Sequence, residues 1–181
     1  MLEKVSLKYN FESIIEYMHT SSRELVIYGD DWNSKEAVAE DEARWNNAQY
    51  MTAENTLADV NEYDESQLDF EDIGKQLGMK VVCIWTVVQR PGQILPQHTD
   101  KHVETKAKLP DHPGTLCRCI IHLEDWKPGQ FLDYSENRVD TGWKQGQGWM
   151  VGAELPHLSA NCGEHNKYTM QVSGYATSNF I

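Results

Sequence analysis

From residue 79 onward the chain is a run of short apolar segments separated by glycine and proline, and no other feature constrains its fold as much. MKVVCIWTVVQ (79–89) is apolar on both faces, as a strand buried on both sides must be. RPG (90–92) is a turn, and QILPQHTD (93–100) is a second strand-like piece. TLCRCIIHLEDW (115–126) is a third, followed by the turn KPGQ (127–130). FLDYSE and VDTGWK read as a hairpin around Asn137 and Arg138. QGQGWMVGAELPH consists of short apolar runs broken by glycines, and NKYTMQVSGYA (166–176) is a final strand. Short strands at this spacing indicate an all-β sandwich or barrel.

The first 78 residues read as mostly helical. Phe11, Ile14, Ile15 and Met18 recur at the spacing of one apolar helix face. ELVIYG (24–29) looks like a short strand, and SKEAVAEDEARWNNAQYM (34–51) like a surface helix. Residues 59–72, DVNEYDESQLDFED, are acidic with few apolar anchors and are expected as a solvated loop or helix face. The sharper alternative is a segment beside a substrate entrance. FEDIGKQLG (70–78) reads as a short helix stopped by Gly78. At 181 residues, one domain is expected: a helical part, 1–78, packed on the outside of a β core, 79–176.

Charge and cysteines narrow the function classes. The net charge of −12 and only 16 Lys and Arg, with no basic block, disfavour a nucleic-acid partner. No run of about 18 apolar residues appears, so no membrane span is expected. The N-terminus lacks the basic-then-apolar layout of a signal peptide. The expectation is a cytoplasmic protein. Cys83, Cys117 and Cys119 lie in apolar runs and form no CxxC pair, which fits buried, reduced thiols. Zinc, redox or disulfide roles remain the alternative.

The chemistry-bearing residues lie in PGQILPQHTD and GAELPHLSAN. Alternate residues of a strand project to the same face, so His98 and Asp100 can present an imidazole and a carboxylate to one point. His157 can complete a facial two-His-one-carboxylate set, which holds iron(II) and leaves positions open for co-substrate and oxygen. The plainer reading is ordinary surface chemistry, since HxD is short and the chain has seven histidines. His19, His102, His112 and His165 show no ligand-like partner and are expected at the surface. His102 shares the strand parity of His98 and Asp100. Arg118 and His122 are four apart and share one face of the third strand, while Cys117, Cys119, Ile121 and Leu123 take the other. A basic pair aimed into a barrel is costly to bury without an anion. The alternative is a core histidine and a surface arginine. Trp143 and Trp149 are expected to fill the core.

The order of parts (strand, PG turn, HxD, HL strand, WKPG turn, W…GxG, PH, N and K-x-T) resembles the 2-oxoglutarate- and iron(II)-dependent oxygenases. Within them it looks most like the aspartyl/asparaginyl β-hydroxylase-like branch and small phage-encoded oxygenases. The resemblance covers about residues 79–176. It implies a mainly β fold with N-terminal helices, a double-stranded β-helix (jelly roll, cupin-like). It implies His98, Asp100 and His157 as both the catalytic set and the metal ligands. Fe(II), 2-oxoglutarate and O2 are the implied cofactor and co-substrates. The implied reaction is hydroxylation of a C–H bond of an amino acid, peptidyl residue or small metabolite, with conversion of 2-oxoglutarate to succinate and CO2. Asp100 separates this chemistry from that of the related halogenases, which lack the carboxylate.

The resemblance further implies that Lys167, ten residues after His157, binds the distal carboxylate of 2-oxoglutarate, with Thr169 supplying a hydroxyl from the same strand face. Most of the branch carries arginine there, and lysine offers a point charge in place of a bidentate fork. Read by itself, Lys167 is a solvent-facing strand lysine. His122, together with Arg118, is implied to contact the keto-acid carboxylate; the branch's arginine nearest the histidine is replaced here by Ile120. Asn161 is implied to orient the loop around His157. Two readings outside this family stay open: a cupin-like metalloenzyme or isomerase that ignores 2-oxoglutarate, and a non-catalytic binding barrel.

Overall fold

The computed structural model describes residues 2–20, 24–27, 57–135 and 138–177. Eleven strands and three helices are found among them: β1 (Leu2–Ser6), α1 (Phe11–Thr20), β2 (Glu24–Ile27), β3 (Leu57–Tyr63), α2 (Phe70–Leu77), β4 (Met79–Gln89), β5 (Ile94–His98), α3 (Val103–Lys108), β6 (Thr115–His122), β7 (Gln130–Tyr134), β8 (Arg138–Asp140), β9 (Gln147–Gly152), β10 (His157–Asn161) and β11 (Lys167–Ala176). The strands form a seven-stranded sheet, β1-β9-β6-β11-β4-β3-β2, and a four-stranded sheet, β5-β10-β7-β8. From β4 to β11 the chain passes back and forth between the two, and β9-β6-β11-β4 faces β5-β10-β7-β8. That is the wind of a double-stranded β-helix, a jelly roll.

The alternation within strands sets which sheet face each residue joins. On β6, Cys117, Cys119 and Ile121 enter the largest apolar cluster, with Met170 and Val172 of β11 and Ile84 and Val88 of β4. Phe11, Ile14 and Met18 of α1 and Ile73 and Leu77 of α2 cover that same outer face. The helices are thus the lid that lets the large sheet be apolar on both sides. The inner face carries two smaller clusters: Ile120, Leu132, Tyr134, Trp149, Val151 and Leu155 on one side, and Val60, Cys83, Trp85 and Val87 on the other. The polar residues of the interior lie between them.

Several expectations meet the structure directly. α2 begins where Asp69 accepts a hydrogen bond from the Asp72 amide, and it ends at Gly78, whose φ of 67° is the left-handed cap that glycine adopts without strain. The Phe11, Ile14 and Met18 face of α1 is buried. The hairpin falls at β7 and β8, which pair antiparallel. Cys83, Cys117 and Cys119 are buried free thiols, and Cys162 is exposed.

Others need correction. The first 78 residues are not mostly helical among those described. β1 pairs with β9 and β3 with β4, so the β core extends on both edges beyond 79–176. The acidic stretch from 59 begins as strand β3, not as a loop. Val60 and Tyr63 bury themselves there, and β4, covered on both faces, supplies its hydrogen-bonding edge. The helix expected at 34–51 lies outside the described residues. No described helix is long and apolar enough to cross a membrane.

Candidate metal centre

β5 and β10 run antiparallel, and their register sets His157 directly across from His98. Strand β5 ends at His98, and the next two residues carry Asp100 back toward the same point. One ligand atom from each of His98, Asp100 and His157 lies within 4.8 Å of the other two. The His98 Nε2–Asp100 Oδ1 distance is 3.9 Å, and the His157 Nε2–Asp100 Oδ2 distance is 3.8 Å. These spans are too long for hydrogen bonds and suit atoms that share an ion.

The outer contacts of the three fix which atoms face inward. His98 Nδ1 lies 2.6 Å from the Pro96 carbonyl, and His157 Nδ1 lies 3.0 Å from the Leu155 carbonyl. Each ring therefore donates from Nδ1 and turns the lone pair of Nε2 to the centre. Asp100 Oδ1 accepts from Arg118 Nη1 at 2.6 Å, whereas Oδ2 is buried with no hydrogen-bond partner among the described residues. A buried, unpartnered carboxylate oxygen beside two imidazole lone pairs fits a divalent cation. Two imidazoles and one carboxylate on one side of an ion would leave its other side open.

Electrostatics agree. Burial lowers the His98 pKa to about 4, helped by His157 and opposed by Asp100, so the ring is neutral at neutral pH. Burial by itself pushes the Asp100 carboxyl up, but Arg118, ahead of His157 and His98, outweighs it and holds the group well below the usual carboxylate range. His98 and Asp100 are thus deprotonated before any ion arrives.

Arg118 is the residue whose assignment the structure changes most. Its Nη1 also reaches Gln171 Oε1 at 2.9 Å, its Nε reaches Ser173 Oγ at 2.9 Å, and its guanidinium lies over Trp85. It is neither a surface arginine nor paired with His122: its cation is committed to Asp100. His122 is four residues away along β6, roughly 13 Å at strand rise. It is fully buried, lies 3.1 Å through Nε2 from Asp140 Oδ2, and stacks on Trp143 at 3.6 Å.

Lys167 is not solvent-facing. It is 1% exposed, and its Nζ donates to the Phe131 carbonyl and to Ser159 Oγ, both at 2.7 Å. Ser159 follows His157 by two on β10, a step of roughly 7 Å on the same strand face. Burial pulls the Lys167 ammonium down to about 7, with Asp140 opposing. Thr169, buried, sits on β11 across from His122. Asn161 donates to the carbonyls of Gln89 and His165 and accepts from the Gly163 amide, shaping the turn that leads into Lys167.

No family model matches the chain, and no curated protein matches it. Among solved structures it is similar to a Pseudomonas putida prolyl-4-hydroxylase at 12% identity, with 91% of this chain and 98% of that one covered and a TM-score of 0.48. A predicted oxalate decarboxylase from Thermotoga maritima is 9% identical over 66% of this chain and 81% of that one, with a TM-score of 0.42. The cupin domain of an Enterobacter cloacae transcriptional regulator is 10% identical over 65% and 96%, with a TM-score of 0.40. At such distances, what each of those proteins does stays with that protein.

Two residues beside these sites escape sequence reasoning. Asp140, on the short strand β8, carries no motif, and only the barrel's closure brings it to His122. His102 is expected at the surface but is 4% exposed, and neither ring nitrogen has a partner among the described residues. Its φ of 53° turns the chain into α3, and this takes the ring inward. The shared parity with His98 and Asp100 was the available signal.

Proposed function

We propose that the chain is an iron(II)- and 2-oxoglutarate-dependent dioxygenase that oxidises a C–H bond of a small molecule or peptidyl residue. The observation that carries this reading is the combination of the buried His98–Asp100–His157 cluster with a buried lysine that donates to Ser159, two residues after His157 on β10. Iron(II) bound there would supply oxygen activation coupled to decarboxylation of the 2-oxo acid. The chain's own residues do the rest. His98 and His157 offer Nε2, Asp100 offers Oδ2, and Arg118 occupies Oδ1 so that one carboxylate oxygen is left for the ion. Lys167 offers a desolvated cation for the far carboxylate of a dicarboxylate held at the metal. The apolar clusters on both flanks exclude water from the reacting end.

The test is iron(II)- and oxygen-dependent conversion of 2-oxoglutarate to succinate by purified protein. The expected result is turnover in the wild type, abolished in His98→Ala and Asp100→Ala and weakened through a higher KM in Lys167→Ala. Turnover that survives both ligand substitutions would refute the assignment. A second reading draws on the two hydrogen bonds that already engage Lys167 Nζ: a cupin-type metalloenzyme that binds metal but does not use 2-oxoglutarate. Metal binding without any succinate, in wild type and Lys167→Ala alike, would select it.

A further inference from the structure

His122 of β6, Asp140 of β8 and Lys167 of β11 form a charged cluster that the metal ligands leave unused. Trp143 is its centre. His122 stacks on the indole with a 4° interplanar angle, and Lys167 Nζ lies 5.6 Å from the same ring. Asp140 reaches across from the other sheet to His122 Nε2 at 3.1 Å. The opposite nitrogen, His122 Nδ1, is buried and has no partner among the described residues. A fully buried imidazole with one nitrogen held by a carboxylate and the other free is arranged to gain a proton when a negative charge comes near.

Charge balance gives the reason. With Lys167 charged, Asp140 charged and His122 neutral, the cluster is neutral. A carboxylate delivered to Lys167 would leave one negative charge uncompensated beside two fully buried side chains, which is expensive. One proton restores neutrality, and the free nitrogen of His122 is the place for it. We propose that Lys167, His122 and Asp140 form a proton-coupled seat for the distal carboxylate of the co-substrate, which moves His122 from the keto-acid carboxylate that the resemblance implies to the Lys167 end, since both lie against Trp143. The proton comes from solvent and goes to His122 Nδ1, Asp140 holds Nε2–H, and Nδ1–H is presented to the carboxylate. Asp140 is then a positioning residue acting through His122. The inference rests on the 2-oxoglutarate reading above.

The other titratable groups around the cluster do not supply this proton. Tyr134 on β7 is already protonated, its hydroxyl raised well above its ordinary value by burial. Lys4 of β1 shares a surface pocket with Asp140 and Trp143 on the outer side. His157 of β10 is turned to Asp100 and His98. Burial holds His122 near 4, with Asp140 opposing and Lys167 reinforcing, so the ring starts without the proton. Lys167, near 7, can add a fraction of a second one.

The experiment is calorimetry of 2-oxoglutarate binding to the iron(II)-loaded protein without oxygen, at pH 6, where Lys167 is charged and His122 is not, in buffers of different ionisation enthalpy. The expected result is net uptake of about one proton or more per 2-oxoglutarate bound. In Asp140→Asn the uptake falls by at least about half and binding weakens about tenfold, while Asp140→Glu restores part of both. His122→Gln, neutral at every pH, shows the same loss of uptake and serves if Asp140→Asn does not fold. Binding without net uptake, or uptake unchanged in both substitutions, overturns the inference while leaving the dioxygenase reading intact. Absence of 2-oxoglutarate binding overturns that reading and the inference with it.

Discussion

Arg118 shows how one buried contact can decide the role of a ligand. Its guanidinium takes Oδ1 of Asp100, stacks over Trp85 and is held in turn by Gln171 and Ser173, so Asp100 has one oxygen left for a cation. Arg118→Gln removes the charge that keeps the carboxyl ionised against its own burial. The expected outcome is a 10–100-fold loss of iron(II) affinity that grows as pH falls, because protons now compete for Asp100. A chelator-competition titration at several pH values checks this. An affinity equal to wild type would release Arg118 from Asp100 and return it to the co-substrate. At this scale the sequence was legible where chemistry and order coincide, as at His98, Asp100 and His157. It was misleading at Arg118 and His102, because strand parity says which face a side chain takes but not which partner the opposite sheet brings to it.

Among the elements, the turns aim the site as much as the strands do. Gly129, in the turn before β7, has a φ of 89°, and its amide neighbour across the gap is the turn after β10: the Cys162 amide donates to the Gly129 carbonyl at 2.8 Å. A Cβ at position 129 would sit 2.4 Å from the Gly163 nitrogen. Two turns from different parts of the chain are therefore packed backbone on backbone, directly before Lys167. Gly129→Ala should combine left-handed strain with this clash and cost about 2–4 kcal/mol of stability. A urea denaturation midpoint measures it, and a loss below about 0.5 kcal/mol would mean that the turns can separate. Glycine–proline punctuation marked these turns in the sequence, and the both-face apolarity of β4 marked its central place. β3 was not legible, because its acidic residues resemble a loop until β4 offers it an edge. β1 was equally hidden, since only its pairing with β9 recruits it to the sheet.

Across the whole molecule, helices seal the outside of the large sheet with apolar side chains, while polar pairs join the two sheets inside. Arg118–Asp100, His122–Asp140 and Lys167–Ser159 each run from one sheet side to the other. That interior makes the ion-free protein's stability sensitive to pH in a definite direction. His98, His102 and His122 are each lowered to about 4 by burial, against about 6.5 when unfolded. Between those values the unfolded chain binds protons that the folded chain refuses, so stability falls as pH drops from about 6.5 to 4. Lys167 has the same sign in a higher window. Folded it titrates near 7 and unfolded near 10.5, so its burial penalty shrinks as pH rises through that range. Each group contributes at most about 1.4 kcal/mol per pH unit within its window. Urea midpoints of the metal-free protein should therefore rise from pH 4 to 6.5. Wild type should also gain on Lys167→Met between pH 7 and about 10, a comparison in which the two proteins share nearly all of their surface charge. If the two curves run parallel through that upper range, the Lys167 ammonium is not held in a dry interior, and both the co-substrate seat and its proton coupling lose their physical basis.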